Sequence, residues 1–298
     1  MSLETKTAFI FPGQASQFQG MGKDLYEAHK AARKLFDEAN SILGYKITDV
    51  MFEGTEEELK ETKITQPSVF LHSVIKAIVL GEHIPFKAVA GHSLGEFSAL
   101  VAAKVIDFKT ALELVQLRAF AMQKACESNP GTMAAIVGVE DTKIEEICKA
   151  MSEHIVVAAN YNCPGQLVIS GSIAGINAIE KNMIEAGAKR FILLAVGGAF
   201  HSPLMEPARI ELAEAIEKLH FNDAHVPIYQ NVDALPYLES DKIKKNLILQ
   251  LTSPVRWTQT MNHMIADGIQ NFYEVGGNGT VLSGFLKRIN RELPISSL

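Results

Sequence analysis

A five-residue run, Gly91-His92-Ser93-Leu94-Gly95, constrains this chain more than any other feature. It follows the short apolar stretch Ala88-Val89-Ala90 and precedes a helical pattern over residues 97–105. Strand, tight turn and helix is the setting in which G-x-S-x-G forms a nucleophile elbow. There the serine sits where the backbone turns sharply, and its hydroxyl is pushed out beyond the sheet. Gly91 and Gly95 lack Cβ atoms, so strand and helix can approach closely. The helix N-terminus offers free N–H groups to a developing oxyanion. A glycine-flanked turn with a serine N-cap is the plainer alternative.

With 298 residues and 47% hydrophobic composition, the chain can bury a sizeable core as one large domain or two smaller ones. The net charge of −6 is spread without acidic or basic blocks, which argues against a nucleic-acid partner. No apolar run approaches a membrane span of about 18 residues, so no membrane association is expected. Residues 1–6 lack the basic and apolar regions of a secretory leader. Cys126, Cys148 and Cys163 form no C-x-x-C pair and fit a reducing, cytoplasmic setting. No H-E-x-x-H or cysteine cluster suggests a metal site.

Thr7-Ala-Phe-Ile-Phe11 reads as a strand ending in the turn signal Pro12-Gly13, followed by a Gln-rich polar loop over 14–20. A helix is predicted over 24–39, with Leu25, Ala28, Ala32, Leu35, Phe36 and Ala39 on one face. Thr55 to Glu58 forms a capping-box pattern. Pro67 fits the first turn of another helix running to about residue 80. Asp107 is placed to cap a helix through Leu112, Val115, Ala119 and Met122. Arg118 lies inside that apolar helix. The local residues favour a surface arginine lying along its own stem over a buried cation awaiting an anion.

The rhythm changes near Gly131. Strands are expected over 133–139, 155–159, 166–170 and 190–196, with helices over 141–151 and 173–186 and a turn over 160–165. This β-α-β-β-α-β order is the split βαβ, ferredoxin-like unit. Residues 131–196 are therefore read as a small inserted α+β domain. Residues 1–130 and 197–298 are read as one discontinuous, larger α/β domain. Gly197 to Pro203 places His201 on a loop. Further helices are expected over 204–219, 243–251 and 258–267, with strands over 227–230 and 271–275. The Gly276 to Thr280 stretch matches neither phosphate-loop pattern and reads as a strand-to-helix turn.

Taken together, these pieces resemble the malonyl-CoA:acyl carrier protein transacylase family nearly end to end. The resemblance rests on Phe11-Pro-Gly-Gln14, Gly91-His-Ser-Leu-Gly95, Arg118 with Met122-Gln123, Asn162-Cys-Pro-Gly-Gln166, Gly198-Ala-Phe-His201 and Thr252-Ser-Pro-Val-Arg-Trp257. Two positions depart from the family pattern: Ala15 stands where glycine is usual, and Gly277 where proline is frequent.

The resemblance implies a hydrolase-like α/β fold with a mainly parallel sheet and an elbow. It implies acyl transfer between thioesters by a Ser93–His201 dyad, malonyl-CoA being a substrate and no metal or redox cofactor being needed. The backbone carbonyl of Gln250 would orient His201. The backbone N–H groups of Gln14 and Leu94 would form the oxyanion hole, and Arg118 would hold the free carboxylate of malonate. His92, Asn162, Gln166 and Phe200 are candidate substrate contacts, and Asn231 is a candidate support for the base loop. The implied partners are coenzyme A esters and an acyl carrier protein, with Lys189-Arg190 and Lys287-Arg288 as candidate docking cations. A polyketide-serving acyltransferase and a serine esterase or thioesterase are the alternatives.

Overall fold

The computed structural model describes residues 6–298. Most of the stretch read for a leader lies outside the described residues. Among the described residues, ten strands form two sheets: β1 (Thr7–Phe11), β2 (Ala88–Gly91), β3 (Gly131–Val137), β4 (Val156–Cys163), β5 (Gln166–Ser172), β6 (Arg190–Leu193), β7 (Ile228–Tyr229), β8 (Pro236–Tyr237), β9 (Asn271–Glu274) and β10 (Ile295–Ser297). The larger sheet runs β10-β9-β1-β2-β7-β8 and is parallel except for the edge strand β8.

Strands β1 and β2 are buried along their whole length, as expected for parallel strands covered on both faces. Their side chains alternate between two cores. Phe9, Phe11 and Val89 pack with the helices Thr62–Val79, Phe108–Ser128 and Glu206–Glu217. Ala8, Ile10, Ala88 and Ala90 pack with the helices Trp257–Ala266 and Val281–Ile289.

The second sheet is antiparallel, in the order β4-β5-β3-β6. Its helices Asp141–Ala150 and Ile173–Glu185 close a separate core around Ile136, Ile144, Leu167, Ile169 and Ile176. Strand β4 also reaches the larger sheet's side of the molecule. Tyr161 N donates to Val255 O at 2.9 Å, and Val255 N donates to Ala159 O at 2.7 Å. Those bonds keep residues 160–163 extended, where the sequence had suggested a turn beginning at Asn160. The turn is confined to Pro164-Gly165.

Other boundaries also differ from expectation. The helix expected over 24–39 is two helices, Lys23–Ala28 and Lys30–Leu43, broken at an extended His29. Arg33 donates to the carbonyls of Tyr26 and Glu27, which the break leaves open. The helix expected to begin at Pro67 already starts at Thr62, so Pro67 sits inside it; its first residues carry no side-chain cap that would mark the start. The predicted caps at Thr55 and Asp107 are present. The short strands β8 and β10 carry too few residues to show a period in the sequence.

At the elbow, strand and helix approach closely. A Cβ on Gly91 would fall inside the backbone of Gly95 and Glu96, at the start of the helix Gly95–Ala102. No rotamer change relieves a backbone overlap. Gly91→Ala should therefore lower the free energy of unfolding by about 3 kcal/mol or more, measured by denaturant titration.

Candidate active site

Ser93 stands between β2 and the helix Gly95–Ala102 with φ of 52°, in the left-handed region. His201 also has a positive φ, 58°. Such conformations cost about 1–3 kcal/mol each and persist only where neighbours enforce them. For Ser93 the neighbour is Asn231. Its Oδ1 accepts from Ser93 N at 2.7 Å, and its Nδ2 donates to Gly91 O at 2.7 Å. Asn231 thus braces the turn that carries Ser93, and its own carbonyl accepts from Arg256 N at 3.1 Å.

Ser93 Oγ lies 2.8 Å from His201 Nε2. On the other side of the imidazole, Nδ1 is 3.1 Å from the carbonyl of Gln250 and 3.1 Å from that of Ser253. Carbonyls only accept, so the ring proton resides on Nδ1 and Nε2 is free to accept from Ser93. The carbonyl expected at Gln250 is in place, and Ser253 adds a second that the sequence reading missed. Gln250 opens a tight 3₁₀ turn, Gln250–Thr252, that ends the helix Ser240–Leu249 earlier than expected, and Ser253 is the extended residue that follows the turn. Burial, and next the Arg118 cation, push the His201 imidazole down to about 3, so it is neutral at physiological pH.

Arg118 is 1% exposed, not the surface residue its sequence neighbours favoured. Its Nη1 donates to Gln66 Oε1 at 2.6 Å. Its Nη2 donates to Ser93 Oγ at 3.1 Å and to Gln250 Oε1 at 3.2 Å. The guanidinium carbon lies 5.6 Å from the centre of the Phe97 ring. Burial lowers the guanidinium to about 9, partly opposed by Glu96, so it keeps its charge at neutral pH. Its Nε is buried without a hydrogen-bond partner. Three of five N–H donors are used, which leaves capacity for an anion.

A cavity of about 210 Å³ opens in front of Ser93 and His201. Gln14, His92, Asn162 and Phe200 line it. Arg118, Leu94 and Gln250 stand behind the wall, and Gln166 lies off it, accepting from Arg288 at 3.3 Å. His92 Nε2 is paired with Asn162 Oδ1 at 2.9 Å, tying the elbow to β4. The Gln14 loop is drawn in by Gly13, where a Cβ would collide with the His92 carbonyl. Among the described residues, the backbone N–H groups of Gln14 and Leu94 make no hydrogen bond. Ala15 occupies the left-handed region at φ 77°, which glycine adopts without strain, and Gly277 has φ 59°, which proline cannot adopt.

The sequence reading also missed Gln66 and Glu96. Glu96 is 1% exposed and accepts hydrogen bonds from Asn231 N and Gln250 Nε2. Its signal was a carboxylate directly after the elbow on an otherwise apolar helix. Gln66 stood beside Pro67 in a stretch read as a helix start.

A family model described as an acyl transferase domain matches residues 8–293. The malonyl CoA-acyl carrier protein transacylase of Bacillus subtilis is 44% identical over 292 residues, 97% of this chain and 92% of that protein. An acyl carrier protein S-malonyltransferase from Vibrio cholerae superimposes with a TM-score of 0.93 at 41% identity, covering 99% of this chain and 97% of that one. A malonyl-transacylase solved in complex with its holo type II PKS acyl-carrier protein superimposes with a TM-score of 0.94 at 39% identity, covering 99% and 96%. A serine paired with a buried histidine and a buried arginine, on a chain alike from end to end, leads to one assignment: this protein belongs to the malonyl CoA-acyl carrier protein transacylase family of acyl transferase domains.

Proposed function

We propose that the chain transfers malonyl from malonyl-CoA to the phosphopantetheine thiol of an acyl carrier protein, through a malonyl ester on Ser93, and so supplies fatty acid synthesis. The observation that carries this reading is the single hydroxyl shared between an imidazole acceptor and a buried guanidinium.

Ser93 attacks the thioester carbonyl while His201 Nε2 takes its proton. The backbone N–H groups of Leu94 and Gln14 stabilise the oxyanion. The tetrahedral intermediate collapses, the C–S bond breaks, and the imidazolium returns its proton to the departing CoA thiolate. In the second half-reaction the carrier thiol gives its proton to His201 and attacks the ester; the C–O bond to Ser93 breaks as the imidazolium returns that proton to Ser93 Oγ. Backbone carbonyls stabilise an imidazolium less than a carboxylate does, but a thiolate leaves more easily than an amine. The malonyl carboxylate pairs with Arg118 through parallel hydrogen bonds. That pairing also offsets the positive charge that depresses His201, so the correct substrate strengthens its own base.

We infer that residues 131–196 form a small domain inserted between segments 1–130 and 197–298, with the substrate cleft between the two. Cavity residues drawn from both support this: Met133, Asn160 and Leu194 from one, Gln14, Phe200 and Phe285 from the other. The reaction needs no metal or redox cofactor. Three buried free cysteines fit work in the cytoplasm. Supply of a polyketide carrier is the second reading, favoured by the neighbour captured on a type II PKS acyl-carrier protein.

Intact-mass spectrometry after incubation with malonyl-CoA should show one malonyl group on Ser93 that is lost on adding holo carrier protein. Release of free malonate without acceptor would instead identify a hydrolase. Arg118→Ala should cost malonyl transfer about 2–5 kcal/mol of transition-state stabilisation and raise the relative use of acetyl-CoA, measured as the ratio of kcat/KM values. An unchanged preference would remove Arg118 from substrate recognition.

The acylation rate should show no inflection near the ordinary imidazole pKa of about 6.5. Because the folded value of His201 is depressed, base function is present above about 3 and lost as pH falls through it. Rapid-quench measurement of Ser93 acylation against pH checks this. Phe200, buried on the cavity wall, leaves little room for an α-methyl branch. Malonyl-CoA should be preferred to methylmalonyl-CoA by about 10-fold or more, and Phe200→Ala should narrow the gap.

A further inference from the structure

Glu96 is a buried ionisable group that touches the site's framework and has no part in the steps above. It lies on the first turn of the helix Gly95–Ala102 and is 1% exposed. Oε1 accepts from the backbone N–H of Asn231, and Oε2 accepts a short hydrogen bond from Gln250 Nε2. Both oxygens therefore face donors, the pattern an ionised carboxylate satisfies. Burial pushes the carboxyl up to about 8, while the Asn231 and Gln250 donors and the Arg118 charge pull against it and Asp233 adds to the rise.

The Gln250 side chain links this carboxylate to the guanidinium. Its Nε2 donates to Glu96 and to Ser93 O, the latter at 2.9 Å, while its Oε1 accepts from Arg118 Nη2 at 3.2 Å. Were the amide turned over, its oxygen would face a carboxylate and a carbonyl, and its NH₂ would face a guanidinium. The acceptor at Glu96 thus decides which end of the amide Arg118 meets. The second oxygen acts through Asn231, whose side chain braces Ser93 N and Gly91 O.

We propose that Glu96 is a positioning residue for malonyl recognition, setting the aim of the Arg118 guanidinium through the Gln250 amide. The proposal rests on the reading of Arg118 as the clamp for the malonyl carboxylate. Glu96 itself touches neither substrate nor reacting atoms.

The test compares kcat/KM for malonyl-CoA and acetyl-CoA in the unaltered chain, Glu96→Gln, Arg118→Ala and the double variant, at a pH above about 8, where Glu96 is charged. Glutamine keeps the shape but sets an NH₂ against a donor. Glu96→Gln should lower the malonyl-to-acetyl ratio about tenfold, and by less than about twofold when Arg118 is already alanine. Equal losses on both esters, or an undiminished effect in the double variant, would reduce Glu96 to a packing role. Should Glu96→Gln not fold, Gln250→Met cuts the same relay while keeping the backbone carbonyl beneath His201. It should lower the ratio likewise, and an unaltered ratio overturns the proposal. If Arg118→Ala itself leaves the ratio unaltered, the clamp falls and the role of Glu96 with it. If only Glu96→Gln and Gln250→Met leave it unaltered, the clamp stands and Glu96 alone is misassigned.

Discussion

A guanidinium taken almost wholly out of water sets the terms for this site. Burying a cation is costly unless it is paired and hydrogen-bonded. No described carboxylate forms an ion pair with Arg118. The charge is spread instead over Gln66, Gln250, the Ser93 hydroxyl and the face of Phe97, with Glu96 one amide further out. Neutral acceptors stabilise the cation enough to keep it charged and leave two of its N–H donors, Nε among them, unfilled. A directly bonded glutamate would instead have neutralised it.

The same charge governs the base. Burial, with the nearby Arg118 charge adding to it, holds His201 neutral, and its Nδ1 is pinned by two carbonyls, so its free nitrogen faces Ser93. Ser93 Oγ then accepts from Arg118 while donating to His201, an arrangement that favours loss of the hydroxyl proton. Strained backbones at both residues are held by bonds to distant segments. Pre-organisation of this kind is provided by folding, before any substrate binds.

The small antiparallel sheet is tied into that arrangement. Strand β4 bonds to Val255, two residues beyond the Ser253 carbonyl, and Asn162 on β4 holds the His92 ring within the elbow. The sheet thus steadies both the base-holding turn and the nucleophile turn while forming one wall of the cleft.

Much of the frame was legible in the residues themselves. The elbow follows from glycines flanking a serine between an apolar run and a helix, because only glycine permits that approach. The split βαβ unit follows from periodicity, and the caps at Thr55 and Asp107 from local hydrogen-bond chemistry. Strand ends and helix breaks such as those at His29 and Asn160 were not legible, since partners far along the chain decide them. Periodicity around Arg118 pointed to the surface, because a local window cannot see Gln66, Ser93 and Gln250 converge on it. The Ser253 carbonyl carries no local mark either, and the position of Glu96 beside the elbow gives no hint of its partners Asn231 and Gln250. Sequence determined which groups were available and the short-range turns that present them. Only the tertiary structure decided which met, because burial, low dielectric and bonds across more than a hundred residues exist only after the chain has packed.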